Sequence, residues 1–250
     1  MFFIPIRVFY KGAHFIIHIM LAFIISMIAP LALGYQWYQT EKGMLLCQWW
    51  FSRTSNILNL RVIQYGYPQK TTTLFTANHI SFLDIIVIAS TTPARFLSKQ
   101  TLRHWPIIGF ITSSAGTIFI KRGNRQVIHK TIQTISTALE QQHSLIIFPE
   151  GTTTLGDKVK KFHNGLFQAA INKHVPVQPI ALRYVRNGKP DRIAAYIDKD
   201  NFIISLIKIM AQSKIEVQLS YCSVLQSQTY TRSELARNTH AVINEIICRE

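Results

Sequence analysis

The chain has 250 residues, enough for one domain with a sizeable core, and 48% of them are hydrophobic. Lys and Arg number 27 against 12 acids, a formal charge of +15 that suits anionic partners: a lipid surface, nucleic acid or an acidic carrier protein. No helix-turn-helix, zinc knuckle or RNA-binding aromatic signature accompanies that charge, so no nucleic acid is expected. Cys47, Cys222 and Cys248, odd in number and widely spaced, form neither a disulfide framework nor a zinc site, which points to a reducing, cytoplasm-facing compartment.

In chain order, Phe15 to Leu33 is apolar apart from His18 and Ser26 and is interrupted by Pro30; at ~1.5 Å per residue it reaches ~28 Å, close to a bilayer's hydrocarbon core. Arg7 and Lys11 precede it, as in a signal peptide. However, Ala32-Leu33-Gly34 runs into Tyr35-Gln36-Trp37-Tyr38, rings that suit a membrane interface better than a cleavage site. Met44 to Phe51, followed by Arg53 and Ile57-Leu58, reads as an amphipathic surface helix. Positive charges flank both ends of the first run, so charge gives no orientation. A re-entrant hairpin in one leaflet accounts for that symmetry, and a single span is the competing arrangement. Residues 1–58 are expected to anchor the chain to a membrane, and residues 59–250 to form its catalytic domain.

Beyond the anchor, strands alternate with helices. Strands are expected at Leu60 to Tyr65, Leu74 to Thr76, Ala94 to Leu97, Thr117 to Lys121, Leu145 to Phe148, Val177 to Leu182 and Ile215 to Tyr221. Helices are expected from Ile85 to Ser90, from Leu102 to Ser113, from Val127 to Gln141, from Gly165 to Asn172, and from a Thr231-x-x-Glu234 capping box to Ile247. The pattern predicts an α/β domain: a layered mixed sheet flanked by helices, behind an N-terminal membrane-embedded helical hairpin.

The segment richest in chemistry is Asn78-His79-Ile80-Ser81-Phe82-Leu83-Asp84. His79 supplies a base that can be neutral near pH 7, and Asp84 a carboxylate able to hold the imidazole tautomer. Residues five apart on a continuous helix diverge by about 140°, so the two meet only if His79 lies on the loop before the helix. Ser81-x-x-Asp84 reads as a capping box that arranges this, with Ser81 at the N-cap. The plainer alternative is that Asp84 only caps the helix and His79 is an ordinary loop residue.

Three later segments add weight to chemistry. Gly116 to Gly123 is a strand ending in Lys121 and Arg122, a point charge and a planar fork suited to phosphate, or else a solvated strand end. Phe148-Pro149-Glu150-Gly151-Thr152 closes a buried strand with a turn that offers backbone N–H groups and hydroxyls to a ligand. Val175 to Leu182, with Pro176 and Pro179, reads as a wall of the core.

Together and in this order, the four segments resemble the lysophospholipid acyltransferase family, the glycerolipid acyltransferases of the 1-acylglycerol-3-phosphate type with the HxxxxD motif. Its pattern of NHxSxxD, GxxFIxR, FPEGT and a proline-containing strand is matched at residues 78–84, 116–122, 148–152 and 175–182. The resemblance covers roughly residues 60–225, and it departs at His163, where many members carry Lys; His163, Lys160 or Lys161 is left to serve there. It implies transfer of a fatty acyl group from acyl carrier protein or coenzyme A, as co-substrate with no other cofactor and no metal, to a lysolipid hydroxyl. The first acceptor is 1-acylglycerol-3-phosphate, giving phosphatidic acid; another lysolipid such as lyso-ornithine lipid, or a non-catalytic lipid-binding role, is the alternative. On this resemblance His79 is the base and Asp84 its orienter. Arg122, with Lys121 or Lys99, binds the acceptor phosphate, and Glu150 holds Arg122 or a glycerol hydroxyl. Backbone N–H groups near the Glu150-Gly151-Thr152 turn or near His79 form the oxyanion site. The expected location is the cytoplasmic face of a bacterial-type inner membrane, where lipids are anionic.

Overall fold

A computed structural model describes residues 3–121, 125–197 and 200–248. The chain opens with an antiparallel helical hairpin, α1 (Phe3–Leu33) and α2 (Glu41–Leu58), joined by a short 3-10 turn at Trp37–Gln39. α1 starts well before the expected Phe15 and continues through Pro30. Proline removes the N–H that would serve the carbonyl four residues earlier. Here the released Ser26 carbonyl accepts the Ser114 hydroxyl at 3.2 Å, and that hydroxyl in turn accepts the Trp37 indole N–H at 3.2 Å. α2 begins at Thr40, whose hydroxyl accepts the Gly43 N–H, and ends at left-handed Asn59. The hairpin closes through Lys11 Nζ, which donates to the Leu58 carbonyl at 3.2 Å, and through His18, which stacks on Trp50 and bonds Thr54 Oγ1 at 3.0 Å. α1 is long and apolar enough to cross a membrane, and only 22% of that stretch is buried against the rest of the protein, unlike the core helix of a globular domain.

The remainder is a mixed sheet of eight strands among the described residues: β1 (Leu60–Tyr65), β2 (Leu74–Ala77), β3 (Arg95–Lys99), β4 (Ile118–Ile120), β5 (Leu145–Ile147), β6 (Val177–Arg186), β7 (Lys189–Pro190) and β8 (Ile215–Tyr221). The order is β1-β8-β6-β2-β5-β3-β4, with β7 beside β6; β8 and β7 run antiparallel to β6, and every other neighbouring pair is parallel. Alternation sends Ile146 to one face and Leu145 and Ile147 to the other. The first face is covered by α2, α3 (Leu83–Thr91) and α7 (Phe202–Ala211). The second is covered by α5 (Arg125–Glu140), α6 (Gln168–Asn172) and α8 (Arg232–Ile247), the last with its capping box formed.

Other elements also differ from expectation. The helix expected over Leu102 to Ser113 is a 3-10 segment, Gln100–His104, and a separate α4 (Ile108–Ser114). They are divided by a tight γ-turn at Ile107 (φ 64), in which the Ile108 N–H donates to the Pro106 carbonyl. α7 was not anticipated: it is short, ten residues, and its polar side is a narrow strip made by Ser205 and Lys208. β2 lies in the middle of the sheet order, between β6 and β5. The chain leaves it through α3 towards β3, returns as β5 on one flank, and continues as β6 on the other. The crevice at the carboxyl ends of β2 and β5 is therefore a topological switch point, the usual ligand site of such sheets.

Candidate active site

The loop after β2 is pinned before it reaches His79. Asn78 clasps β6 at two points: its Oδ1 accepts the Leu182 N–H at 2.8 Å and its Nδ2 donates to the Leu182 carbonyl at 3.0 Å. His79 follows, and Asp84 enters from the first turn of α3 with no exposure to solvent. His79 Nδ1 lies 2.7 Å from Asp84 Oδ2. An ionised carboxylate only accepts, so Nδ1 carries the hydrogen and Nε2 is left as the basic nitrogen. The same Oδ2 accepts the N–H groups of Ile80 (2.7 Å) and Ser81 (3.0 Å), while Oδ1 accepts the Tyr184 hydroxyl at 2.8 Å. These donors replace the water that a buried carboxylate loses. Burial, then the Asp84 charge, pushes the Tyr184 phenol well above its ordinary range, which keeps it a donor.

The expected capping box is half present. Asp84 takes the Ser81 N–H, but α3 begins after Phe82 with no side-chain cap, and Ser81 Oγ is buried without a hydrogen-bond partner among the described residues. The carboxylate is drawn to the loop N–H groups and the imidazole, and the serine side chain is not turned back to the helix.

His79 itself is held on every side. Its ring stacks on Phe148, centroids 4.1 Å apart, and 20% of its side chain remains accessible. Its carbonyl accepts the Thr154 N–H at 2.8 Å, and its own N–H donates to Glu150 Oε1 at 2.7 Å. Glu150 Oε2 accepts the Lys160 N–H at 2.8 Å. Glu150 is 4% exposed, and burial raises its pKa above the usual carboxylate value although both N–H bonds pull it down. Both of its oxygens tie together the loops that follow β2 and β5; the expected partner Arg122 lies outside the described residues. Gly151 takes the left-handed turn that lets the chain double back, its N–H donating to the Phe148 carbonyl at 3.0 Å (φ 69), and Thr152 follows on the same turn. His163 is tied in by its backbone, its N–H donating to the Pro149 carbonyl at 2.9 Å, while the side chains of His163, Lys160 and Lys161 face solvent.

The basic candidates lie at the same end of the sheet. Lys99 ends β3 opposite Ile120 of β4, and Lys121 comes directly after it. At ~4.8 Å per strand, they sit roughly 10 and 15 Å across the sheet from β2. Arg122 lies outside the described residues. Tyr184 was missed because the expected strand stopped at Leu182. It continues the Ile180, Leu182, Tyr184 alternation into the same core face, a period-two signal that was available.

Residues 59–183 match the family model described as Acyltransferase. The chain is 34% identical over 200 residues to a lyso-ornithine lipid O-acyltransferase of Pseudomonas aeruginosa, covering 79% of this chain and 76% of that protein. It is 32% identical over 152 residues to a 1-acyl-sn-glycerol-3-phosphate acyltransferase of Neisseria meningitidis, covering 60% of this chain and 59% of that protein. Its fold is similar to the crystal structure of a 1-acyl-sn-glycerophosphate acyltransferase from Thermotoga maritima, with a TM-score of 0.69 over 97% of this chain and 94% of that one; at 17% identity this likeness speaks for the fold alone. A mixed sheet carrying a buried carboxylate–imidazole pair at its switch point thus coincides with the matched segment, and the chain belongs to the acyltransferase family.

Proposed function

We propose that the chain transfers a fatty acyl group from an acyl thioester, acyl carrier protein or acyl-coenzyme A, to the free hydroxyl of 1-acylglycerol-3-phosphate. The observation that carries this reading is the 2.7 Å His79–Asp84 contact with Nε2 left as the base. Because the substrate brings the hydroxyl, no nucleophile of the protein is needed. His79 Nε2 takes the hydroxyl proton as the oxygen attacks the thioester carbonyl, and Asp84 stabilises the imidazolium without itself taking the proton. Backbone N–H groups of the 150–152 turn or of the His79 loop hold the oxyanion. Collapse breaks the C–S bond, and the imidazolium returns the proton to the departing thiolate. Arg122, with Lys121 or Lys99, binds the acceptor phosphate.

The surroundings extend the reading. Residues 1–58 dock in the cytoplasmic leaflet of an anionic inner membrane without crossing it, and residues 59–250 form the acyltransferase domain. The donor arrives from the cytoplasm and the acceptor from the lipid. A second acceptor, lyso-ornithine lipid, is favoured by the Pseudomonas aeruginosa relative, whose similarity extends over 79% of this chain. Purified protein given both lysolipids, each with coenzyme A and carrier-protein donors, tests the proposal. Acyl transfer to the phosphate acceptor supports it; transfer only to lyso-ornithine lipid replaces the acceptor; transfer to neither refutes it.

A further inference from the structure

α7 poses a packing problem. Ser205, Ile209 and Met210 are buried against the domain, yet the opposite face exposes Ile203 (59%), Ile204 (54%) and Ile207 (47%), with Lys208 in the last turn and no acidic residue in the helix. Three clustered isoleucines need cover, and none of the described residues supplies it on this face. Its position indicates what the cover is. The carbonyls at its C-terminal end are capped by cations from α1: Arg7 Nη1 donates to Ala211 O and Lys11 Nζ to Gln212 O, both at 2.8 Å. α7 is thereby fixed alongside the helix that carries the chain's longest exposed apolar face. The apolar surface also continues through rings: Phe23 of α1 packs on Phe110 (5.3 Å), and Trp105, in the turn before α4, packs edge-on against Phe202 of α7 (5.4 Å). Phe202 rests in turn on Phe82, inside the His79–Asp84 loop, at 5.0 Å.

We infer that α7 is a second membrane-contacting element, with Ile203, Ile204 and Ile207 seated in the acyl-chain region of the same leaflet as α1. The occupant of this face is the bilayer: the face is continuous with α1, and a cation at the helix end suits the headgroup layer. Contact through Phe202 and Phe82 brings the catalytic loop to the membrane surface, so a lysolipid reaches His79 by lateral movement. The inference rests on the membrane-bound acyl-transfer reading, and its test separates the two.

In the full chain with Cys47, Cys222 and Cys248 replaced by serine, Ile204→Cys and, as a control on α5 across the sheet, Lys130→Cys are labelled with bimane. The protein is bound to phosphatidylethanolamine–phosphatidylglycerol vesicles that contain nitroxide-labelled acyl chains. Strong quenching at position 204 and little at 130 is expected, with or without turnover. Ile204→Glu with Ile207→Glu should lower kcat/KM for vesicle-embedded lysolipid by about ten-fold or more, while a short-chain acceptor dispersed as monomer is used as before. An unquenched label at 204 in vesicle-bound protein overturns the inference. So does a dimer in sedimentation that Ile204→Glu dissolves, since that assigns the face to a second copy. Quenching without acyl transfer to any acceptor would leave the surface standing and remove the proposed reaction.

Discussion

Replacing Glu150 by glutamine separates a structural brace from a ligand contact. The side chain keeps its length and shape, but the amide has one acceptor where the carboxylate has two. Whichever way it turns, an NH₂ faces either the His79 N–H or the Lys160 N–H, which now donate at 2.7 and 2.8 Å. A hydrogen bond to a charged group is worth about 1.5–3 kcal/mol, and a buried donor without a partner costs about 1–3 kcal/mol. Neutrality recovers part of the cost of burying the charge, the cost that raises the Glu150 pKa. A net destabilisation of about 1–3 kcal/mol follows, or roughly 2–12 °C in Tm at ~2–4 °C per kcal/mol for a chain of this size. Turnover should fall with it, because the lost bond holds the His79 backbone, while KM for the acceptor should change little. The pH dependence has a defined sign. A carboxyl whose folded pKa is raised contributes stability that is full below its usual value near 4.5 and is lost as pH rises through the raised value. The Tm advantage of the natural chain over Glu150→Gln should therefore shrink as pH climbs through that window. Thermal unfolding in detergent across pH, with steady-state kinetics alongside, makes the measurement. Wild-type Tm and turnover in the variant would refute the brace. An unchanged Tm with a raised KM only for phosphate-bearing acceptors would return Glu150 to the ligand site.

Further outcomes follow from the same geometry. His79→Ala should lower turnover by about 10²–10⁴ with folding retained; near-normal turnover would end the general-base assignment. Tyr184→Phe keeps the buried ring but removes the donor to Asp84 Oδ1, so a loss of about 1.5–3 kcal/mol in unfolding free energy is expected, with a fall in kcat at constant KM; unchanged stability would mean that the hydroxyl contributes nothing net. Arg122→Ala should raise KM for a phosphate acceptor more than for lyso-ornithine lipid, and Arg122→Lys should rescue only partly, since an ammonium lacks the planar fork; equal losses would make the residue structural. For the membrane mode, high salt should not strip the protein from vesicles, and cysteine labelling at position 2 and at Lys189 should occur only from the cytoplasmic side; labelling at position 2 from outside would mean a span.

The sequence made some of this visible for reasons that are physical. Strand positions in the β2–β5–β6 centre were legible because those runs are apolar, and β5 is also short and closed by Pro149. The closing helix was legible because Thr231 and Glu234 form a capping box and its stripe has helical period. What stayed hidden has causes too. α7 carries Ser205 and Lys208 on a narrow polar strip, and the apolar residues beside it serve the core and the bare face alike. Pro30 looked like a break because its compensating donor, Ser114, lies far along the chain. The bracing contacts of Glu150 stayed hidden because no local pattern reveals that its two oxygens meet backbone N–H groups of His79 and Lys160. The pairing of His79 with Asp84 was readable from spacing plus a helix start. The third partner, Tyr184, was not, since it reaches Asp84 from β6 at a separation of 100 residues.

This arrangement also explains why two loops are needed to present one imidazole. His79 has its N–H fixed by Glu150, its carbonyl by Thr154, its Nδ1 by Asp84 and its ring face by Phe148. Asp84 is itself fixed by two loop N–H groups and Tyr184. On the proposed reaction, His79 would be oriented before the acceptor arrives, leaving little rotational entropy to lose in the attack, a contribution that well-oriented groups make to rate. The Phe148 to Thr154 segment would then matter for turnover without any of its side chains touching the acyl donor or the lysolipid, because it holds the histidine through Phe148, Glu150 and Thr154.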